Sequence, residues 1–358
     1  MAGDLTGLVR NAVSAGRLNA VASKSYGELL KIHRESAPDI SGKLRQIHVV
    51  TAANEKFGVA VGTLIASLSS VDTIGHIILF DLGLSSQTSE MLKAMDPRVR
   101  IDRSLLPLAD PDYILRYQFK IDGLMFAPDL LPLDDLTASA ILWIDSGILV
   151  NGDLRRTTNI LETQTAFLCD LTTRKAAGKP GTTIKAFNHL SPWDDAAETY
   201  PFDSDILCQP LSWAGIHGFR YGSDYQRNVI EKAFAMSLEY PALLSGPKFA
   251  SPESRVELES SSIFINARER ADDLGLVLAT RRWNGARYDL FLFTCLYHQS
   301  GRNLISSLGL IEDITDGQES MRTFTTNGAV IPRTNFRPEV LEDRNTEFVI
   351  HRGSLRLG

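Results

Sequence analysis

Apolar positions along the chain fall into short, β-branched runs separated by longer segments with helical spacing. The first run, Ile47–Ala53, is apolar on most consecutive positions, the pattern of a strand covered on both faces. Similar runs stand at Ile74–Asp81, Val99–Asp102 and Ser139–Ile144. Further strand candidates are Thr165–Cys169, Gly215–Phe219, Leu274–Leu278 and Leu290–Leu296. Between the first two strands lies Phe57–Ser70, an uncharged stretch containing Gly, Ser and Thr. It is too short to cross a bilayer core about 30 Å thick and reads as a buried helix. Helical spacing also marks Tyr113–Leu131, Asp224–Glu239 and Ser261–Ala271. Strands and helices alternating at these lengths predict right-handed βαβ units, hence an α/β fold with a mostly parallel central sheet flanked by helices.

The ends of the chain read differently. In residues 1–40, Leu5, Leu8, Val9 and Val13 lie near helical spacing, Leu29, Leu30 and Ile32 form a second cluster, and Ser36–Asp39 breaks the pattern. The mixed charges of this helical extension suit packing on the core or a homodimer contact better than a membrane surface. Residues 306–358 have no strong period and are expected to form an arm packed on the central domain, residues 41–305.

Composition narrows the function classes. The chain has 358 residues, 44% of them hydrophobic and 22% charged, which excludes a mostly disordered protein. The formal charge of −6 argues against a general nucleic-acid binder. Cys169, Cys208 and Cys295 are widely spaced and form no CxxC pair, so a thiolate zinc site is not expected. Asp4, Arg10, Arg17 and Lys24 interrupt Met1–Leu30, which therefore lacks a signal-peptide pattern. The expected location is cytoplasmic, free or peripheral to the inner face of a membrane.

Several motifs fail on inspection. Gly178–Thr183 lacks the phosphate-loop spacing, and Pro180 removes an amide donor such a loop needs. No GxGxxG follows the first strand, and neither a GxSxG elbow nor an HExxH helix is found. Trp193–Asp195 and Asp203–Asp205 read as solvated loop charges. Asp145-Ser146-Gly147 is more promising, because it directly follows an apolar strand. Ligands of open α/β sheets bind at the carboxyl ends of strands, where a carboxylate can hold a divalent cation or a ribose hydroxyl. By itself the tripeptide reads first as an ordinary turn.

The wider stretch Leu142–Leu154 resembles the central motif of GT-A nucleotide-sugar glycosyltransferases, especially family 8 and its relatives. In that family an apolar strand runs into Asp-x-Asp, three apolar residues and a Gly-Asp-Ile/Leu step. Asp145 matches the first acid and Gly152-Asp153-Leu154 the later step, while Gly147 replaces the second acid. Val50–Phe57 with Leu64–Leu68 is similar to the family's first strand, nucleotide loop and first helix. Leu278–Asn284 resembles its late Trp-Asn element, and Leu296–Arg302 its His-x-x-Gly segment, with His298 and Gly301 in register. The usual Lys-Pro-Trp ending is missing.

The resemblance implies transfer of a sugar from a nucleotide sugar, in the first instance a UDP-sugar, to a glycan, lipid-linked or small-molecule acceptor, with retention as the family's habit. The alternative is a non-catalytic binder of nucleotide sugar or glycan. The resemblance further implies Asp145 and His298 as ligands of Mn²⁺ or Mg²⁺, although the glycine at position 147 leaves metal dependence open. Thr51, Ala52, Asn54, Ser146, Gly147, Gly301 and Arg302 are the implied donor-binding positions. Lys120, in a segment preceding the central strand, is the implied donor-contacting base. If Lys120, His298 and Arg302 supply charge directly, no ion is needed. Glu259 and Asp170 are candidates for sugar recognition or, with inversion, for the general base. His217, on an apolar strand, is a candidate for the acceptor side and otherwise a structural histidine. A net-negative chain repels a diphosphate, so the implied function depends on a local positive cluster or a bound cation.

Overall fold

In the computed structural model of the chain, the described residues are 5–16, 18–32, 42–110, 113–114, 116–148, 150, 153–170, 202, 204–207, 209–239, 244, 288–305, 311–314 and 331–334. Two helices open the chain, α1 (Leu5–Ser14) and α2 (Ala20–Ile32). Then follow β1 (Gln46–Ala53), α3 (Gly58–Leu68), β2 (Ile74–Asp81), α4 (Ser86–Met95) and β3 (Val99–Asp102). The middle of the chain forms α5 (Gln118–Phe126), β4 (Ser139–Ile144), α6 (Arg155–Gln164), β5 (Ala166–Asp170) and β6 (Ser212–Arg220). A π-helical turn at Gln226–Glu231 leads into α7 (Lys232–Glu239), and α8 (Tyr288–Gln299) follows later. Two short strands, β7 (Ile311–Ile314) and β8 (Ile331–Thr334), pair in parallel with each other.

The large sheet has the order β3-β2-β1-β4-β6-β5. Pairings within β3, β2, β1 and β4 are parallel, and β6 is antiparallel to both of its neighbours. The mostly parallel α/β sheet expected from the alternating pattern is therefore the one the chain forms. Both of its faces are covered, which is why its strands read as nearly unbroken apolar runs. On one face Ile47, Val49, Ile77 and Leu142 pack with Leu64 and Ile65 of α3, Leu92 of α4 and Leu161 of α6. On the other, Val50, Ile78, Phe80 and Trp143 pack with Val9 of α1, Tyr26 of α2, Ile121 and Leu124 of α5, Phe234 of α7 and Phe291 of α8. Side chains of this size contribute roughly 1.5–3 kcal/mol each when fully buried.

One expectation is overturned. Leu290–Leu296, expected as a strand, is the middle of α8. A helix buried all round shows the same uninterrupted apolar run as a buried strand, and Phe291, Leu292, Phe293, Cys295, Leu296 and Tyr297 are all buried here. Two helices without a strong apolar run, α4 and α6, also appear; α4 starts where the Ser85 side chain accepts a hydrogen bond from the Thr88 amide. The expected helix Ser261–Ala271, the strand Leu274–Leu278, the Gly178–Thr183 loop, Trp193–Asp195 and the Trp-Asn element lie outside the described residues.

The strand order matters for function. The chain proceeds from β1 outward to β3 on one side, then crosses to β4 on the other, where β5 takes the edge and β6 returns between them, so the topological switch lies between β1 and β4. Val50 and Trp143 are register partners there. The crevice at the carboxyl ends of these two strands is where such sheets bind ligands.

Candidate functional site

β4 delivers Asp145 to that crevice. The Asp145 amide donates to the Gly215 carbonyl at 2.9 Å, extending the ladder with β6, and the Ile148 amide donates to the Asp145 carbonyl at 2.9 Å, closing a turn. Trp143, two positions earlier and on the same face, donates its indole N–H to Asp145 Oδ1 at 2.7 Å. The same oxygen lies 2.9 Å from Lys120 Nζ. All contacts of this carboxylate among the described residues fall on Oδ1. The Asp145 side chain is 31% exposed, so Oδ2 is the oxygen left for a ligand.

Lys120 reaches Asp145 because α5 lies very close to the sheet. A Cβ on Gly123 would sit 3.1 Å from the Phe80 ring and 3.3 Å from that of Trp143, so the helix approaches closely enough that any larger residue there would crowd both rings. Tyr117, immediately before α5, takes the left-handed conformation with φ 56°. The ammonium lies 5.7 Å from the Tyr117 ring centre and 5.5 Å from that of Trp143. Its other partners are Asp289 Oδ2 at 3.0 Å and the Ala214 carbonyl at 2.9 Å. The Ala214 carbonyl takes a hydrogen bond from the ammonium, and the two carboxylates meet it as ion pairs. Burial alone would pull the lysine pKa down, but Asp145 and Asp289 overcome it and push the value up to about 12. Two carboxylates against one ammonium leave the triad with a net charge of −1. Asp289 was not anticipated from the sequence. Its signal is an acid in the first turn of α8, where the helix dipole favours negative charge, and reading that segment as a strand hid it.

The other sequence candidates are placed as follows. Thr51, fully buried, and Ala52 end β1, and Asn54 follows that strand. Thr51 Oγ1 and Asn54 Oδ1 are buried atoms with no hydrogen-bond partner among the described residues. Ser146 and Gly147 are half-buried in the turn after Asp145. The register of Val50 with Trp143 brings the end of β1 out at the same end of the sheet as Asp145. Asp170 ends β5, with β6 between it and β4, and its amide donates to the Ile305 carbonyl at 2.9 Å. His298 Nε2 hydrogen-bonds the Pro210 carbonyl at 2.8 Å, and burial pulls its pKa down. Gly301 is exposed, with φ +73°. Arg302 donates to the Gln164 carbonyl at 2.9 Å and to Thr165 Oγ1 at 3.3 Å. Gln164 and Thr165 precede β5, which runs in the same direction as β4, so Arg302 sits at the edge of the sheet opposite Asp145. Lys120 and Arg302 are therefore not brought into one positive cluster. Glu259 lies outside the described residues.

His217 on β6 is fully buried against Phe293, with ring centres 4.8 Å apart, and neither ring nitrogen has a hydrogen-bond partner among the described residues. Burial first, and Lys120 second, pull its pKa down to about 3. A cavity of about 180 Å³ lies on the far side of α5, lined by Tyr26, Tyr113 and Gln118 among others, away from the switch-point crevice.

The residues present do not fit a divalent-cation site of the resembled kind. Oδ1 of Asp145 is taken twice, Gly147 offers no side chain, and the Nε2–H of His298 is committed to a carbonyl. No group of three His, Cys, Asp or Glu side chains able to hold a metal exists among the described residues.

No family model matches the chain, and no curated protein matches it. Solved structures do resemble it. WbbM, a bifunctional glycosyltransferase in its apo form, is 14% identical over 87% of this chain and 45% of its own, with a TM-score of 0.43. This chain thus spans less than half of WbbM. Mouse xyloside xylosyltransferase 1 is 9% identical over 82% of this chain and 98% of its own, with a TM-score of 0.41. An active-site mutant of LgtC is 13% identical over 87% and 97%, with a TM-score of 0.40. The solved structures to which the chain is similar are glycosyltransferases, and at these scores the likeness assigns no role to any of its residues.

Proposed function

We propose that the chain is a glycosyltransferase that moves a sugar from a nucleotide-sugar donor, a UDP-sugar in the first instance, to a hydroxyl of a glycan, lipid-linked or small-molecule acceptor. The observation that carries this reading is Asp145: a carboxylate at the switch point, fixed through one oxygen and presenting the other. Such a group accepts hydrogen bonds from the hydroxyls of a ribose or sugar in a set orientation, which is the positioning that transfer requires. Thr51 Oγ1 and Asn54 Oδ1, buried and unpartnered at the end of the adjacent strand, suit a bound nucleoside, because a buried polar atom without a partner is costly until a ligand supplies one.

In the reaction the anomeric C–O bond to the diphosphate breaks, the leaving group keeps the electron pair, and the acceptor oxygen bonds to the anomeric carbon as its proton passes to the departing diphosphate oxygen. Lys120 acts as a positioning residue: buried and ion-paired with Asp145 and Asp289, it holds Asp145 and leaves the diphosphate to other groups. Asp170 is the described carboxylate nearest in role to a general base should the reaction invert.

The second reading is a binder without turnover. It is favoured by Gly147 and by the burial of Lys120 within its ion pairs. The two are separated by incubating the protein with a panel of nucleotide sugars and acceptors, following nucleotide release and donor-dependent thermal shift. Turnover lost in Asp145→Ala supports the enzyme, and a thermal shift without turnover supports the binder. No shift with any donor, or an Asp145→Ala protein as active as the parent, refutes the assignment.

A further inference from the structure

The resembled enzymes neutralise the first acid of their motif with a divalent ion. Here a protein cation already occupies that place. Lys120 sits between Asp145 at 2.9 Å and Asp289 at 3.0 Å, only 3% exposed, with the Ala214 carbonyl as its third partner. The Trp143 indole N–H closes the remaining approach to Oδ1 at 2.7 Å. A divalent ion at Asp145 would lie beside this ammonium, and like charges at such a distance in a partly desolvated site repel strongly. The second acid that would compensate for that repulsion is Gly147. His298 does not compensate either: it stands nine residues beyond Asp289 on α8, a rise of about 13.5 Å, with its Nε2 on Pro210.

We infer that Lys120 is the resident cation of this site, seated between two carboxylates where the resembled enzymes place a metal, so that ligands bind at Asp145 without a divalent ion. The ligand group follows from the charge. A triad of net charge −1 repels a phosphate oxygen and accepts a hydroxyl, so Oδ2 of Asp145 takes a ribose or sugar hydroxyl. The clause about donor binding rests on the glycosyltransferase reading; the clause about the cation does not.

The test has two arms. In the first, Mn²⁺ alone is titrated into the full chain and free Mn²⁺ is followed by electron paramagnetic resonance. The parent and Asp145→Asn should give superimposable curves. Lys120→Met, which leaves the Asp145 and Asp289 carboxylates facing one another, should gain one equivalent of bound Mn²⁺. A parent that takes up one equivalent lost in Asp145→Asn overturns the inference, as does a folded Lys120→Met that gains none. If Lys120→Met does not fold, the comparison of parent with Asp145→Asn decides alone. In the second arm, UDP-glucose and UDP-galactose are titrated calorimetrically in EDTA and in Mn²⁺. Dissociation constants within about threefold of each other, a difference of less than ~1 kcal/mol, support the inference. Binding that appears only with Mn²⁺ overturns it while preserving the glycosyltransferase reading. Binding in neither buffer counts against that reading, and the Mn²⁺ titration then decides the role of Lys120 independently.

Discussion

Asp122 offers a stability measurement in which the sign is as informative as the size. It lies on α5, fully buried, on the side of the helix away from the Lys120 triad. Tyr26 and Tyr113 donate to Oδ2 at 2.5 and 2.8 Å, and Gln118 donates to Oδ1 at 2.7 Å. Burial raises the carboxyl pKa from 3.8, the bonds from Tyr26, Gln118 and Tyr113 pull it back, and the outcome is a value of about 7. A carboxyl whose folded pKa exceeds its unfolded value holds its proton more tightly in the fold. Its contribution to stability is full below the unfolded value near 3.8 and is lost as pH rises through about 7. The whole gap is on the order of 4 kcal/mol, of which about 2 kcal/mol falls between pH 5 and pH 7. Asp122→Asn removes the titration while keeping an acceptor oxygen for both tyrosines, and turning the Gln118 amide accommodates the new N–H₂. The variant should lose about 1 kcal/mol at pH 5, for imperfect hydrogen bonding. By pH 8 it should equal or exceed the parent, a relative swing of roughly 2–3 kcal/mol. Urea denaturation followed by tryptophan fluorescence from about pH 5 to 8 measures this directly. Parallel stability curves, or a parent that gains on the variant as pH rises, would refute the reasoning.

Two further outcomes are expected. His217→Phe removes two unpartnered buried nitrogens and keeps an aromatic ring against Phe293; it should leave stability at pH 7 unchanged or raise it by about 1 kcal/mol. Because the His217 pKa is depressed to about 3, the unfolded chain takes the proton first, so parent stability falls as pH drops below 6.5. The variant should be less acid-labile in urea titrations near pH 4.5, and equal lability would show that His217 is not the group responsible. Gly218→Ala places a Cβ 2.9 Å from the Phe167 ring, 3.1 Å from Leu142 and 3.3 Å from Leu161, and should destabilise by about 1–3 kcal/mol. An unchanged melting temperature would mean that the core on this face has slack.

What the chain wrote locally, it wrote clearly. Ile74–Asp81, Val99–Asp102 and Ser139–Ile144 form strands within the bounds their apolar runs suggest, because a strand buried on both faces needs an unbroken apolar stretch and little else. Asp145 was legible as a carboxylate at a strand's carboxyl end, since its position depends only on where β4 stops. Helix and strand were not separable in Leu290–Leu296, where burial on every side erases the period that distinguishes them. The helix α6 was missed for the opposite reason: among its residues only Thr157 and Leu161 are buried, too little apolar surface to set a period.

The sequence by itself determined the α/β class, the crossing strands and the acid that ends β4, all consequences of contacts close along the chain. Only the tertiary structure decided what that acid does. Lys120, Asp145 and Asp289 are separated by long stretches of chain, and nothing local to any of them indicates that one ammonium is seated between the other two and against the Ala214 carbonyl. It likewise decided that Arg302 stands at the opposite edge of the sheet, because strand direction and order, which no residue pattern encodes, fix which end of β5 it meets. Electrostatic roles depend on three-dimensional distance and on desolvation, and both are set by packing between elements rather than by the residues within one.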